Sequence, residues 1–533
     1  MAKKPKLELP AHYVELCGLL REAAHVSSIG ACLSWDQETY MPAAGAAARA
    51  EQSSIIASLA HSKRTSPKIK DLLAKCENDT SLNDVTTATG ANLREIRRDY
   101  DLATKLPNEL VAELAKVGSQ SQEAWKHARE KSDFKQFAPW LEKMMTLSRR
   151  KAECYGIPKN ETGAKGEIYD ALLNEYEPGA SAADLAATFA PLRERLTDLI
   201  AQVGEKKAAK GKSRVKVDTS CLTTKVDAKL QHEFGHTVLE AMKFDLNAGR
   251  LDVTTHPFCS GFAYGDTRLT TRYRDEKFTD ALYGTMHEAG HGLYEQGLPK
   301  GESDGAGLLF GQPLADAISL GIHESQSRMW ENFVGRSREF WKWALPKIQK
   351  KFGPSFKRYT VEDLYRATNT VNPSLIRVEA DEATYNLHVM VRFELERGLL
   401  SGDLKVKDLP GEWNSKYASM LGIDVPDDRR GCLQDVHWSF GLIGYFPTYT
   451  LGNLYAAQLW EKINKDLPTL SKDIAKGEMG ELREWLRKNI HRHGRRYGAG
   501  ELCKKVTGKA LSAEPLLRHL SAKARDVYGV EGV

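Results

Sequence analysis

The chain has 533 residues, 41% of them hydrophobic and 28% charged, with a formal net charge of +5. That length buries a large core and leaves room for two to four domains, and the composition is that of a globular protein rather than a disordered or fibrous one. So small a net charge argues against nucleic acid or another polyanion as main partner, and the basic run Lys206–Arg214 reads as a solvated loop.

The opening stretch MAKKPKLELP carries charge but no apolar segment, so a secretory signal is not expected. No stretch approaches the ~20 apolar residues that span a bilayer. Eight cysteines are scattered without a C-x-x-C pair, which fits reduced, buried thiols in a cytoplasmic protein. Helical periodicity dominates both ends of the chain; Ala183–Val203 and Gly480–Ile490 repeat apolar residues every three to four positions. No fixed-period repeat points to a solenoid. The segment Asp252–Asp275 differs: rich in Thr, Tyr, Phe and Val and broken by Gly, it predicts two or three short strands. An edge strand there would offer an extended peptide partners for its backbone groups, with a surface hairpin as the alternative.

The pattern H-E-x-x-H occurs twice, at His232–His236 and His287–His291. Residues i and i+4 share a helix face, so two imidazoles reach one Zn²⁺ while the Glu between them faces water that the metal makes acidic. In the first copy the apolar stripe is Val226, Leu230, Phe234, Val238 and Met242. Its histidines fall on the far side, among Lys225, Lys229, Glu233, Glu240 and Lys243. A wet face with ammonium groups and no close third ligand is expected to hold no metal.

In the second copy the stripe is Phe278, Leu282, Met286, Ala289 and Leu293. The surrounding positions are Tyr283, Gly284, Glu288, Gly290, Gly292, Tyr294 and Glu295, and no Lys or Arg intervenes between Phe278 and Pro299. Such a helix is built to be covered on both faces, and its glycines point to close approach of backbone or substrate. A catalytic zinc takes three protein ligands and keeps one position open. Gly297 stands where a third His of the metzincin type would be, which leaves a Glu on a following helix. The stretch Leu314–Phe333 predicts that helix and carries Glu324 beside His323. The expected ligands are therefore His287, His291 and Glu324, with Glu288 as general base; a surface acid is the alternative for Glu324.

HEAGH followed by HESQS (His323–Ser327) resembles the M32 metallocarboxypeptidases, the carboxypeptidase Taq family. Further stretches similar to that family follow in order: HPF (His256–Phe258), DTRLT (Asp266–Thr270), IRVEAD (Ile376–Asp381) and GCLQDVHW (Gly431–Trp438). SWDQETYMPAAG near the N-terminus and GYFPTYTLGNLYAAQL after the last motif are similar to it as well. The resemblance implies a mainly α, saddle-shaped gluzincin-type fold with a deep groove and a small β-sheet near the zinc. One domain would cover residues 1–533, with 1–205 a helical N-terminal part and 206–533 the catalytic part. It also implies a homodimer and one zinc ion per chain, replaceable by cobalt. The implied activity is release of C-terminal amino acids with broad specificity except at proline, through Glu288-assisted attack of a zinc-bound water.

The oxyanion formed in such a reaction needs donors besides the metal. His437, with Tyr445 or Tyr449, suits this by likeness to related helical gluzincins; core packing, with His437 satisfied by Asp435, is the alternative. Arg377 is expected to read the terminal carboxylate through its planar fork, the alternative being an internal pair with Glu379 or Asp381. Arg268 is the second candidate, Asp266 is expected to orient a ligand histidine, and His256 to line the groove. Competing readings are a zinc aminopeptidase or oligopeptidase on the same ligands, or a helical scaffold without catalysis. The chain lacks the G-x-M-E-N motif that reads a free amine, and structural zinc is usually closed by four ligands.

Overall fold

The computed structural model describes residues 9–158, 166–255 and 257–532, so His256 lies outside the described residues. Twenty α-helices and one three-stranded sheet are joined mostly by short turns among those residues. None of the helices is long and apolar enough to cross a membrane. All eight cysteines are free; Cys17, Cys76, Cys221, Cys432 and Cys503 are buried, whereas Cys32 is exposed against expectation.

The apolar stripes read from the sequence do face the interior. Leu185, Phe189, Leu192, Leu196, Leu199 and Val203 are buried on the helix Ala182–Ala208, which Ser181 starts by accepting the Asp184 amide. Burial of each such side chain contributes about 1.5–3 kcal/mol. One large core runs from Ala128 to Val530, and a smaller one around Tyr13, Leu16, Ile69 and Leu73 ties down the N-terminal helices. Asn92 joins the two, donating to Tyr13 Oη and to Gln312 Oε1, each at 2.8 Å.

The strand-rich segment forms β1 (Gly249–Val253), β2 (Cys259–Ala263) and β3 (Asp266–Thr271). Their order is β1-β3-β2, with β1 parallel and β2 antiparallel to β3, so β2 is an edge. The helix carrying the second motif, Phe278–Gly297, lies across this sheet and buries thirteen side chains or glycines on both faces. The N-terminal helix Ala11–Thr39 reaches the sheet through Trp35, which lies beneath the guanidinium groups of Arg268 and Arg250 at 4.6 and 5.4 Å.

The expected helix Leu314–Phe333 is shorter than the sequence indicates. Pro313–Ala315 is an isolated 3-10 turn, and the helix begins at Leu320 because Ser319 caps it by accepting the Ile322 amide. It runs to Arg328 and passes directly into a π-helical turn, Met329–Val334. The glycines of the motif helix divide by what they face. A Cβ at Gly290 would sit 2.6 Å from the Gln326 carbonyl oxygen and the Ser327 Cα, so only glycine lets the two helices meet. At Gly284 the nearest atoms are side chains at 3.6 and 3.9 Å, an ordinary contact.

This difference sets opposite outcomes for one substitution. Gly290→Ala is expected to destabilise the metal-free protein by about 1–3 kcal/mol through forced separation of the helices. Gly284→Ala should stabilise it by roughly 0.5–1 kcal/mol through helix propensity. Urea unfolding of the two variants measures both, and equal effects would remove the close-packing explanation.

Candidate functional site

The i, i+4 spacing on the motif helix puts His287 and His291 side by side, their ring centroids 5.0 Å apart. Glu324 enters from the adjoining helix Leu320–Arg328. Its Oε2 lies 3.6 Å from His287 Nε2 and 3.4 Å from His291 Nε2. Among the described residues these three form the one His/Cys/Asp/Glu group whose ligand atoms converge, all within 4.8 Å of one another. Two imidazoles and one carboxylate with a side left open suit a catalytic divalent metal such as zinc. Gly452, on the helix Pro447–Asp466, packs from the other side, where a Cβ would come within 2.4 Å of Glu324 Cγ.

The first motif has no such convergence. His232 and His236 sit on the helix Ala228–Met242, rings 4.7 Å apart, and His232 Nδ1 bonds the Tyr273 hydroxyl at 2.8 Å. The face is half-buried rather than open, and Glu233 pairs with Lys351 at 2.6 Å, with Lys229 a further nearby cation. No carboxylate completes a set there among the described residues.

Glu324 and the three carboxyl groups nearest the triad, those of Glu288, Glu295 and Glu331, lie in different electrostatic states. Burial alone would raise Glu324, but Arg328 and His287 outweigh it and hold its carboxyl well below the usual range. The Arg328 Nε–H donates to Glu324 Oε1 at 2.7 Å. Glu331, partly buried, is held down to about 2 by Arg328 and His287, and its Oε2 lies 2.9 Å from His287 Nδ1. Against its burial, Glu295 is held at about 2 by Lys300 and His323. Glu288 lacks a comparable cation, and burial pushes it up to about 7 despite the neighbouring His287. Burial and the His323 ring lower His291 to about 4, which leaves it neutral and able to ligate near neutral pH.

A second cluster stands beside the triad, joined to it by Tyr385. Arg328 stacks over the Tyr385 ring at 4.2 Å, while the Tyr385 hydroxyl accepts from Arg377 Nη1 at 3.0 Å. Arg377 pairs neither with Glu379 nor with Asp381. Its Nε and Nη2 donate to Asp435 Oδ1 at 3.1 and 3.0 Å, and the fully buried Arg392 takes the other Asp435 oxygen. These bonds engage three of the five N–H groups of Arg377. His437 is not bonded to Asp435. Its Nε2 is 3.3 Å from Tyr449 Oη, its Nδ1 has no partner among the described residues, and burial with Arg377 presses it down to about 3. Tyr445 packs against His437, Tyr449 and Tyr176, and burial followed by the Glu324 charge raises its hydroxyl.

Two expected residues are used elsewhere. Asp266 does not orient a ligand histidine, because both its oxygens are held by Arg268 at 2.8 and 2.9 Å on β3. The acid on His287 is Glu331. Arg268 itself is spent on Asp266 and on the faces of Trp35 and Phe262. Arg328 and Glu331, four and seven residues after Glu324, are not among the expected site residues, and Glu295, four after His291, is placed on the motif helix without a role; helical spacing from each ligand is the available signal. A cavity of about 550 Å³ lies between the N-terminal helices and Gly261 and Phe262 of β2, and neither the three ligand residues nor Glu288 line it.

A family model described as carboxypeptidase Taq (M32) metallopeptidase matches residues 15–524. The chain is 43% identical over 521 residues to thermostable carboxypeptidase 1 of Thermus thermophilus, covering 97% of this chain and 99% of that protein. It is 36% identical to carboxypeptidase 1 of Bacillus subtilis, over 98% of this chain and all of that one. Among solved structures, the M32 carboxypeptidase of Deinococcus radiodurans R1 superposes with a TM-score of 0.90 at 39% identity, covering 98% and 100% of the two chains. Metallocarboxypeptidase 1 of Trypanosoma cruzi gives 0.89 at 34% identity over 96% and 99%.

The buried Arg377–Asp435–Arg392 arrangement predicts a large stability effect. Asp435→Asn leaves two guanidinium groups facing each other without their anion and should cost about 3–5 kcal/mol, read by urea unfolding. A loss below about 1 kcal/mol, the range of an exposed pair, would show that water reaches the cluster.

Proposed function

Because the chain belongs to the carboxypeptidase Taq (M32) metallopeptidase family, a family of peptide hydrolases, we propose that it is a zinc-dependent carboxypeptidase. On this reading it releases C-terminal residues with broad specificity, proline excepted. The observation that carries it is the convergence of His287 Nε2, His291 Nε2 and Glu324 Oε2 beside a buried acid, Glu288, that lacks its own cation. These three side chains would hold the ion, which when bound supplies a Lewis acid and lowers the pKa of water toward neutrality.

The protein's own groups then have separable tasks. Glu288 accepts a proton from the attacking water and returns it to the leaving amine nitrogen, a role suited to a carboxyl raised toward neutral pH. The neutral His437 and the Tyr445 or Tyr449 hydroxyl donate to the oxygen that becomes negative. Arg377, already engaged with Asp435, keeps N–H groups for a terminal carboxylate. The edge strand β2 packs against the motif helix, a position that suits backbone pairing with an extended peptide.

The experiment compares blocked peptides with free and amidated C-termini. Hydrolysis is expected for the free acid only, and equal cleavage of the amide would make the protein an oligopeptidase instead. Glu288→Gln should lower kcat/KM by roughly 10²- to 10⁴-fold with metal content unchanged, whereas Glu233→Gln in the first motif should be silent. Retention of full activity in Glu288→Gln would remove this residue from the chemistry.

A further inference from the structure

The two ligand histidines share one helix but are supported by different chemistry. The Nδ1 of His287 meets a carboxylate, Glu331, which Arg328 and Arg336 hold from behind at 3.2 Å each. The Nδ1 of His291 instead meets a second imidazole, the Nδ1 of His323, at 2.5 Å. The far nitrogen of His323, Nε2, lies 2.8 Å from Glu295 Oε1, and Glu295 Oε2 is taken by Lys300. Three residues therefore stand in line behind one ligand.

The proton positions along this line follow from the acceptors. When His291 Nε2 turns its lone pair toward the Glu324 oxygen and a shared ion, its ring proton is on Nδ1. His291 Nδ1 then donates and His323 Nδ1 accepts, so His323 carries its own proton on Nε2. That N–H donates to Glu295, a carboxylate that can only accept. With an ion on His291 Nε2, one arrangement satisfies every contact: an Nδ1–H on His291 and an Nε2–H on His323. Its far end is costly, since Lys300 is only 7% exposed and a buried ion pair seldom stabilises a fold over apolar side chains. The pair is also tightly enclosed: a Cβ at Gly261 on β2 would come within 2.2 Å of Glu295 Oε2.

We propose that His323, Glu295 and Lys300 form a positioning relay that fixes the tautomer and ring orientation of His291 as a metal ligand. His287 receives an anionic partner and His291 a neutral one, so the two ligands differ in basicity although their motif is symmetric. None of the three relay residues belongs to the proposed ligand set. The inference rests on the zinc triad proposed above, and its test separates the two.

The test titrates metal-free protein with Zn²⁺ against a chelating dye. His323→Leu removes the acceptor and should weaken binding about 10- to 100-fold, whereas His323→Asn, whose Oδ1 stands near the former Nδ1, should stay within roughly threefold of the parent. Cobalt-loaded samples give a second readout, a visible ligand-field band that shifts in His323→Leu and not in His323→Asn. Unaltered affinity in His323→Leu, or equal weakening by Leu and Asn, would overturn the relay while leaving the triad standing. A parent protein that binds no zinc would overturn both. Neutron diffraction from the zinc-loaded, unmodified protein settles the case if the variants do not fold: a deuteron on His323 Nε2 and none on Nδ1 is expected, and one on His323 Nδ1 would overturn the proposal.

Discussion

How closely three helices can approach one carboxylate governs the site. Glu324 must reach between two histidines from a neighbouring helix, and that helix is pressed from both sides. Gly290 admits its backbone on one side, and Gly452 admits the Glu324 side chain on the other. Interiors are packed to crystal density, so a methyl group at either glycine would move a ligand by an appreciable part of an ångström. The convergence of the three ligand atoms within 4.8 Å is thus a packing result as much as a chemical one.

Charge compensation then decides what each buried acid does. Arg328 serves Glu324 and Glu331 together, Arg336 adds to Glu331, and Lys300 serves Glu295. These carboxyl groups remain ionised in spite of burial and act as ligand, as orienting acceptor and as relay terminus. Glu288 has no such cation, and of these four acids its carboxyl alone is pushed upward. A shared environment in which one acid is left uncompensated is how a protein separates a proton-transfer group from its structural neighbours.

Much of this was legible in the sequence because it is local. The spacing of His287 and His291, the absence of nearby cations and the strand-like composition just before them are all read within about two helical turns or one hairpin. The lysine-rich surroundings of the first motif marked it as unsuited, although its face proves to be half-covered by Tyr273. What the sequence hid depends on distant partners. Arg377 finds Asp435 fifty-eight residues away, and Asp266 is claimed by Arg268 across two positions of β3 rather than by a histidine. The start of the Glu324 helix moved to Leu320 because a serine cap overrides the apolar periodicity before it. His323 looked like a mere neighbour of Glu324 until the fold set its ring against His291.

The proposed chemistry requires one metal at the second motif. Anomalous diffraction from zinc-loaded crystals, recorded on both sides of the zinc absorption edge, tests it most directly. The prediction is one peak per chain, at about 2.0–2.2 Å from His287 Nε2, His291 Nε2 and a Glu324 oxygen. A peak between His232 and His236, or a second-motif peak without Glu324 in its coordination, would contradict it.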